Sequence, residues 1–299
     1  MIYPDNFEIK ISFDKIRQIL ISKCLSPLGE EKVEEMTFSS DFTNIDENLS
    51  QTEEFVRIIQ EEDEFPTNYF LDVRTSLNSI RIEGTWIDES SLFDLRRSLQ
   101  TIKDIVSFFH REEEENTAYP YLYNLAGGVI TFPSLINQID TILDKFGRIK
   151  DNASPELSRI RREIAQTSSG ISKSLNAILR SAQSEGLVDK DISPTMRDGR
   201  LVIPVAPAFK RKIKGIVHDE SASGKTVFIE PAEVVEANNR IRELESEERR
   251  EIIKILISFT NTLRPVIDDI IDSYYFLASI DFIRSKAIFS IDLNAIKPS

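Results

Sequence analysis

The sequence is poor in the residues from which cofactor centres and covalent frameworks are built. It has one cysteine, Cys24, in 299 residues, which rules out an internal disulfide. Two histidines, His110 and His218, stand far apart with no cysteine cluster near either, and this argues against a structural zinc site. No apolar run approaches the roughly 18 residues that a membrane span needs. The opening "MIYPDNFEIK" shows no basic flank followed by an apolar stretch, so no secretory signal is visible. These absences predict a protein of the reducing cytoplasm without a membrane partner. The sequence is also short of positive charge, with 37 Lys and Arg against 50 Asp and Glu and a net charge of -13. A uniformly acidic surface would repel nucleic acid.

The charge is not uniform. From Arg148 to Thr226 there are 15 Lys and Arg against 9 Asp and Glu, so a basic segment sits inside an acidic chain. By count alone, solvated helix faces explain it as well as a binding surface does. Hydrophobic residues at 40% and charged residues at 29% suit a protein with a real core, and the length allows two domains or one elongated one.

Residues 1 to 150 read as a helical bundle. "FDKIRQILISK" puts Phe13, Ile16 and Leu20 on one stripe, and the next segment repeats it with Ile45, Leu49, Val56 and Ile59. "IDESSLFDLRRSLQTIKDIVSFF" spaces Leu92, Leu95, Leu99, Ile102 and Val106 helically after an Asp88 cap. Glu112 to Glu115 read as a solvated helix end, and Trp86, the only tryptophan, as a core residue. From Ser154 a long helix is predicted, with Ser154 as N-cap, Pro155 in its first turn, a seam of Leu157, Ile160, Ile164, Ile171, Leu175 and Ile178, and a stop near Gly186. Its length would be on the order of 45 Å. A second long helix follows Pro231, with Val234, Ile241, Leu244, Ile252, Ile255, Phe259 and Leu263 as its seam and a charged middle from Glu245 to Glu251. Between them three short strands are predicted, Arg200–Ala206, Arg211–His218 and Thr226–Glu230.

"HDESASGKTVFIEP" contains Gly224-Lys225-Thr226, the ending of a phosphate-binding P-loop. The frame G-x-x-x-x-G-K-[ST] requires glycine at residue 219, where this sequence has Asp219, and it requires a helix afterwards, where the β-branched and aromatic "TVFIEP" stands. The segment Asp219 to Gly224 is therefore predicted as a hairpin turn joining the second and third strands. Asp219 and Glu220 are adjacent acids without the converging ligands a metal needs. Nothing in the sequence pairs a nucleophile with a base.

The stretch "RDGRLVIPVAPAFKRKIKGIVHDESASGKTVFIEP", followed by "VVEANNRIRELESEERREI", closely resembles the clamp and returning lever helix of the bacterial MutS-like family, in its recombination-suppressing, Smr-containing second branch. "LNSIRIEGTWIDESSLFDLRRSL" is similar to the core of that family, and the resemblance covers essentially the whole chain. It implies a mainly α fold: a helical core at 1–150, an outgoing lever helix at 151–186, a β-rich clamp at 187–231, a returning antiparallel lever at 232–264 and a return to the core at 265–299. An ATPase domain and an Smr endonuclease domain would lie beyond Ser299, so ATP and Mg are implied for the full-length parent and no cofactor for these 299 residues, which are expected to be non-enzymatic. The mismatch-probing domains of the repair branch have no counterpart. The implied partners are branched or duplex DNA, held by its backbone, and a second copy of the full-length protein. The alternative is an interaction module acting on stalled or collided ribosomes through rRNA.

The residues bearing on DNA contact are Arg200, Lys210, Arg211, Lys212, Lys214 and Lys225. Alternation along the predicted second strand places Lys212 and Lys214 on one face, where they suit phosphate. Ordinary surface lysines on a solvated strand are the competing reading. His218 reads as a polar cap at a strand end, with phosphate contact as the alternative.

Overall fold

Several helices in this chain begin where a side chain or a proline deals with the unpaired N–H groups of the first turn. The computed structural model describes residues 7–62, 64–111 and 117–298. The Glu112 to Glu115 run therefore lies outside the described residues. In order, the first helices are α1 (Phe7–Lys10), α2 (Phe13–Ile21), α3 (Pro27–Glu34), α4 (Phe42–Glu61), α5 (Arg74–Ser79), α6 (Glu89–Phe109), α7 (Pro120–Ala126) and α8 (Pro133–Ile142). There follow α9 (Pro155–Ser184), β1 (Thr195–Arg197), β2 (Arg200–Val205), β3 (Gly215–Glu220), β4 (Val227–Pro231), α10 (Ala232–Leu263) and α11 (Ile267–Asp292). The protein is mainly α, as the sequence predicts. Asp88 caps α6 by accepting from the Ser91 amide at 3.0 Å, and Ser154 caps α9 by accepting from the Leu157 amide at 3.0 Å, both at the predicted positions.

The chain divides into two compact units, Met1–Ile149 with Leu256–Ser299, and Lys150–Ile255. The first is helical and is organised around α11. That helix buries Ile270, Tyr274, Leu277, Ile280, Ile283 and Ala287 on several sides, as expected of an element surrounded by others. Two helices of this unit are capped from a distance by buried carboxylates. Asp281 of α11 accepts from the amides of Leu25 (2.8 Å) and Ser26 (3.0 Å) and from the Ser26 hydroxyl (2.9 Å), at the start of α3. Glu54 of α4 accepts from the amides of Tyr121 (3.0 Å) and Leu122 (2.9 Å), at the start of α7. Burial pushes both carboxyls above the usual carboxylate range.

The cap on α7 explains a departure from the predicted pattern. The face that α4 buries is Ser50, Gln51, Glu54, Phe55 and Ile58, whereas Ile45 and Ile59 of the expected stripe are exposed. A polar cap and its flanking amide occupy what an apolar pattern assigns to solvent. Trp86 is likewise not in the core: it is 42% exposed, and the buried residue at that point is its neighbour Ile87, whose amide donates to Thr260 Oγ1 at 3.1 Å.

In the second unit α9 and α10 run antiparallel, since the partners on α10 recede as those on α9 advance: Arg159 meets Glu247 at 3.4 Å and Glu163 meets Arg240 at 2.9 Å. Arg161 also pairs with Glu248 at 2.7 Å, and Ser154 donates to Glu251 at 2.8 Å. The charged middle of α10 is thus partly spent on α9. Beyond it lies a four-stranded sheet in the order β1-β2-β4-β3, all neighbouring pairs antiparallel. Four strands replace the three predicted. The added β1 closes a tight hairpin on β2 through Asp198 (φ 47°) and Gly199 (φ 72°), the left-handed pair that a two-residue turn requires.

Candidate nucleic-acid interface

One face of the sheet is a core and the other carries a charged network. Ile203 and Val205 of β2, with Val227 and Ile229 of β4, pack on Ile171, Leu175 and Leu179 of α9. Residues opposite one another across antiparallel strands share a face, so Val202 and Glu230 point the other way. Arg197 and Arg200 are direct partners across the β1–β2 hairpin and also share a face. Arg197 lies over the Phe228 ring at 4.2 Å and helps bury it.

Glu230 is the centre of this network. Its side chain is fully buried and accepts from Arg200 Nη1 at 2.7 and 2.9 Å, from Asn238 Nδ2 at 2.6 Å and from His218. Burial raises the pKa of Glu230, but the hydrogen bonds from Asn238, His218 and Arg200 outweigh it and hold the carboxyl below its ordinary value. His218 reaches Glu230 because the pairing passes from Val217↔Ile229 to Asp219↔Phe228 and leaves His218 in a bulge. Arg200 also donates to Asn239 at 2.6 Å, and Arg242 donates to the Asp198 carbonyl, so the network ties the hairpin to the start of α10.

The sequence-selected cations fall into different settings. Arg200 is mostly buried and engaged by Glu230 and Asn239. Lys210, Arg211, Lys212 and Lys214 are exposed, but they are not on a strand. The predicted second strand begins only at Gly215, so the alternation that set Lys212 and Lys214 on one face does not operate. The reason is topological. β2 and β3 are both antiparallel to β4 and therefore point the same way, so residues 206–214 must travel back along the sheet. A 3-10 turn at Pro207–Phe209 starts the return, and buried Ile213 anchors it between Lys212 and Lys214. Lys214 then precedes Gly215, which pairs with Pro231, while Lys225 lies in the turn at the opposite end. Gly215 is required by closeness, since a Cβ there would sit 2.1 Å from the Glu230 carbonyl oxygen.

Lys225 belongs to the turn that contains Gly224-Lys225-Thr226. The Ser221 amide donates to the Thr226 carbonyl at 2.8 Å, the Gly224 amide donates to the Ser221 carbonyl at 2.7 Å, and Gly224 takes φ 65°. The hairpin loop is therefore Ser221–Thr226, with Asp219 inside β3 rather than in the turn. Among the described residues no three His, Cys, Asp or Glu side chains converge as a metal site would need. None of Lys210, Arg211, Lys212, Lys214 and Lys225 has a carboxylate partner among the described residues. Sequence reasoning missed Glu230, Asn238 and Arg197. A lone acid in the otherwise apolar "VFIEP" is the signal that could have found the first.

The chain is similar to curated proteins over nearly its whole length. It is 33% identical over 288 residues to "Endonuclease MutS2" of Geobacillus sp. (strain WCH70). Its homologues are MutS2 proteins. A protein of the same name from Ruminiclostridium cellulolyticum is 34% identical, and one from Alkaliphilus oremlandii 32% identical, each over 288 residues. In all three, 96% of this chain is matched, but the chain spans only 36% of the MutS2 relative's length. No family model matches the chain. No helix among the described residues is long and apolar enough to cross a membrane.

Proposed function

We propose that this chain is the core, lever and clamp region of a MutS2 protein and that its sheet holds duplex or branched DNA by the phosphate backbone. In this reading α9 and α10 are the levers, the β-sheet is the clamp, and the full-length protein is a dimeric ATPase with an Smr endonuclease that suppresses homologous recombination in the cytoplasm. The observation that carries it is the run Lys210, Arg211, Lys212 and Lys214 on an exposed connection, with no carboxylate partner among the described residues. Cations that neutralise no acid of their own chain are available to phosphates. The engagement of Arg200 by Glu230 gives it a different part, which is to fix the hairpin that frames the surface. The similarity to proteins named MutS2 supports the reading.

The test is fluorescence anisotropy with a 30-base-pair duplex, a four-way junction and ribosomes across a salt series. K212E/K214E should weaken DNA binding at least tenfold and flatten the dependence of log affinity on log salt by roughly 2, one phosphate contributing about 0.9. The helical circular-dichroism signal should not change. Reversal of Lys10 and Lys15, both exposed on the first unit, is the matched control. Arg96 and Arg97 would not serve, because Arg96 pairs with Asp140 at 2.9 Å and Arg97 stacks on Phe93 and Tyr69. Should K212E/K214E spare DNA binding but abolish ribosome binding, the ribosomal alternative would be favoured.

A further inference from the structure

Helix α9 carries five basic residues, and two of them are committed: Arg159 to Glu156, Glu163 and Glu247, and Arg161 to Asp151 and Glu248. The other three, Arg162, Lys173 and Arg180, are all exposed and have no carboxylate partner among the described residues. Their spacing is informative. At about 100° per residue, steps of eleven and seven positions bring these three side chains within about 20° of one another on the helix surface. They form a straight row extending roughly 27 Å along the axis. The buried seam of Leu157, Ile160, Ile171, Leu175 and Leu179 lies on the opposite side of the helix.

The surface around the row is as selective as the row itself. The residues within about 60° of it include Ala165, Gln166, Ser169, Asn176 and Ala177, which are short or uncharged. Glu156 and Glu163 lie about 100° or more round the helix, toward their ion pairs. A protein with 50 acids and a net charge of -13 has thus kept one whole helix face free of them.

We propose that this outer face of α9 is a second contact line for duplex DNA, distinct from the β-sheet, on which phosphates of the backbones bordering a groove meet Arg162, Lys173 and Arg180. This rests on the reading of the chain as a DNA-backbone binder. A straight, rigid row fits a rigid duplex, whose persistence length is about 50 nm. Single strands are held by aromatic stacking as well as charge, and the row has no aromatic residue. Small side chains between the cations let a backbone approach closely. Contacts of this kind set register and carry no sequence information.

The experiment is the same salt series on the 30-base-pair DNA duplex with R162Q/K173Q/R180Q, since Gln removes charge and keeps helix propensity. The slope of log affinity against log salt should flatten by roughly 2 to 3, at about 0.9 per lost phosphate contact, additively with K212E/K214E. An unchanged slope in the triple variant while K212E/K214E still flattens it would overturn the second line and leave the proposed function standing. A parent chain with no salt-dependent DNA binding at all would take down both. A duplex RNA slope that flattens while the DNA slope does not would also overturn the assignment to DNA. Should the triple variant lose helicity, Lys173→Gln alone, at the centre of the row, must flatten the slope by about 0.9, and no change there overturns the proposal.

Discussion

Glu230 concentrates at one residue the balance between desolvation and hydrogen bonding. Its carboxylate is fully buried, and it remains ionised because Arg200, His218 and Asn238 all donate to it. E230Q keeps one acceptor oxygen but sets an amide NH2 against the converging donors and leaves the largely buried Arg200 guanidinium without a counter-charge, so it should cost about 3 kcal/mol in urea denaturation at pH 7. The sign with pH follows from the direction of the shift. Because the folded pKa lies below the ordinary 4.5, the stabilisation is present above pH 4.5 and is lost as pH falls through the lower folded value. The gap between wild type and E230Q should therefore be present above pH 4.5 and shrink as pH falls below it; a gap that widens on acidification below pH 4.5 would show that the carboxyl is not ionised in the folded state. Asp281 and Glu54 act in the opposite sense. Their folded pKa values are raised by burial, so their contribution is fullest below the ordinary carboxylate values and is lost as pH rises through the folded ones. At Gly215 the constraint is steric, and since the obstructing atom is the Glu230 carbonyl oxygen, G215A should cost about 1–3 kcal/mol in the same assay.

At the scale of elements, the two remote caps decide where helices of the first unit start. D281A would leave the amides of Leu25 and Ser26 and the Ser26 hydroxyl without their acceptor in a buried position, at about 1–3 kcal/mol per unsatisfied group after local relaxation. D281N, which retains an acceptor oxygen, should recover most of the loss in thermal midpoint; equal midpoints for the two variants would mean that the carboxylate is not acting as a cap. The same caps mark the limit of what hydropathy can reveal. The starts of α6 and α9 were legible to the residue, because an N-cap of the expected type precedes a clean apolar repeat. α4 was legible as a helix but its inward face was not, because Glu54 is placed inward to cap α7 and Gln51, which donates to Glu47, is buried on the same face. In the sheet, β2 and β4 were readable from β-branched runs, whereas β1 is only three residues and announces itself by the Asp198-Gly199 turn alone. Residues 211–214 of the connection read as strand because Lys212, Ile213 and Lys214 alternate basic and apolar. Its path is instead imposed by the parallel direction of β2 and β3, a long-range fact that no local pattern contains. Lys210, Arg211, Lys212 and Lys214 are exposed because of that path, and not because of strand alternation.

At the scale of the whole molecule, charge separates by unit. Lys150–Ile255 holds 19 Lys and Arg against 17 Asp and Glu, so the remainder of the chain carries -15 of the net -13. Net charge disfavours a polyanion on the first unit more than on the second, which makes salt dependence, rather than bare affinity, the informative measurement for the proposed binding. The same unit contains Gly224-Lys225-Thr226, and its geometry bears on whether a nucleotide is a ligand of these 299 residues. A phosphate cradle needs backbone amides that wrap the phosphates and a helix whose N-terminus faces them. Here the Gly224 amide is spent on the Ser221 carbonyl, the Ser221 amide on the Thr226 carbonyl, and the chain runs on into β4. Asp219 stands where the leading glycine would be and adds a carboxylate where phosphate charge would lie. Mg-ATP at millimolar concentration should accordingly leave the thermal midpoint of this chain unchanged. A ligand that bound the native state at even a hundredth of that concentration would stabilise it by about 2.7 kcal/mol, so a saturable upward shift would show that the turn, or another part of the chain, holds the nucleotide.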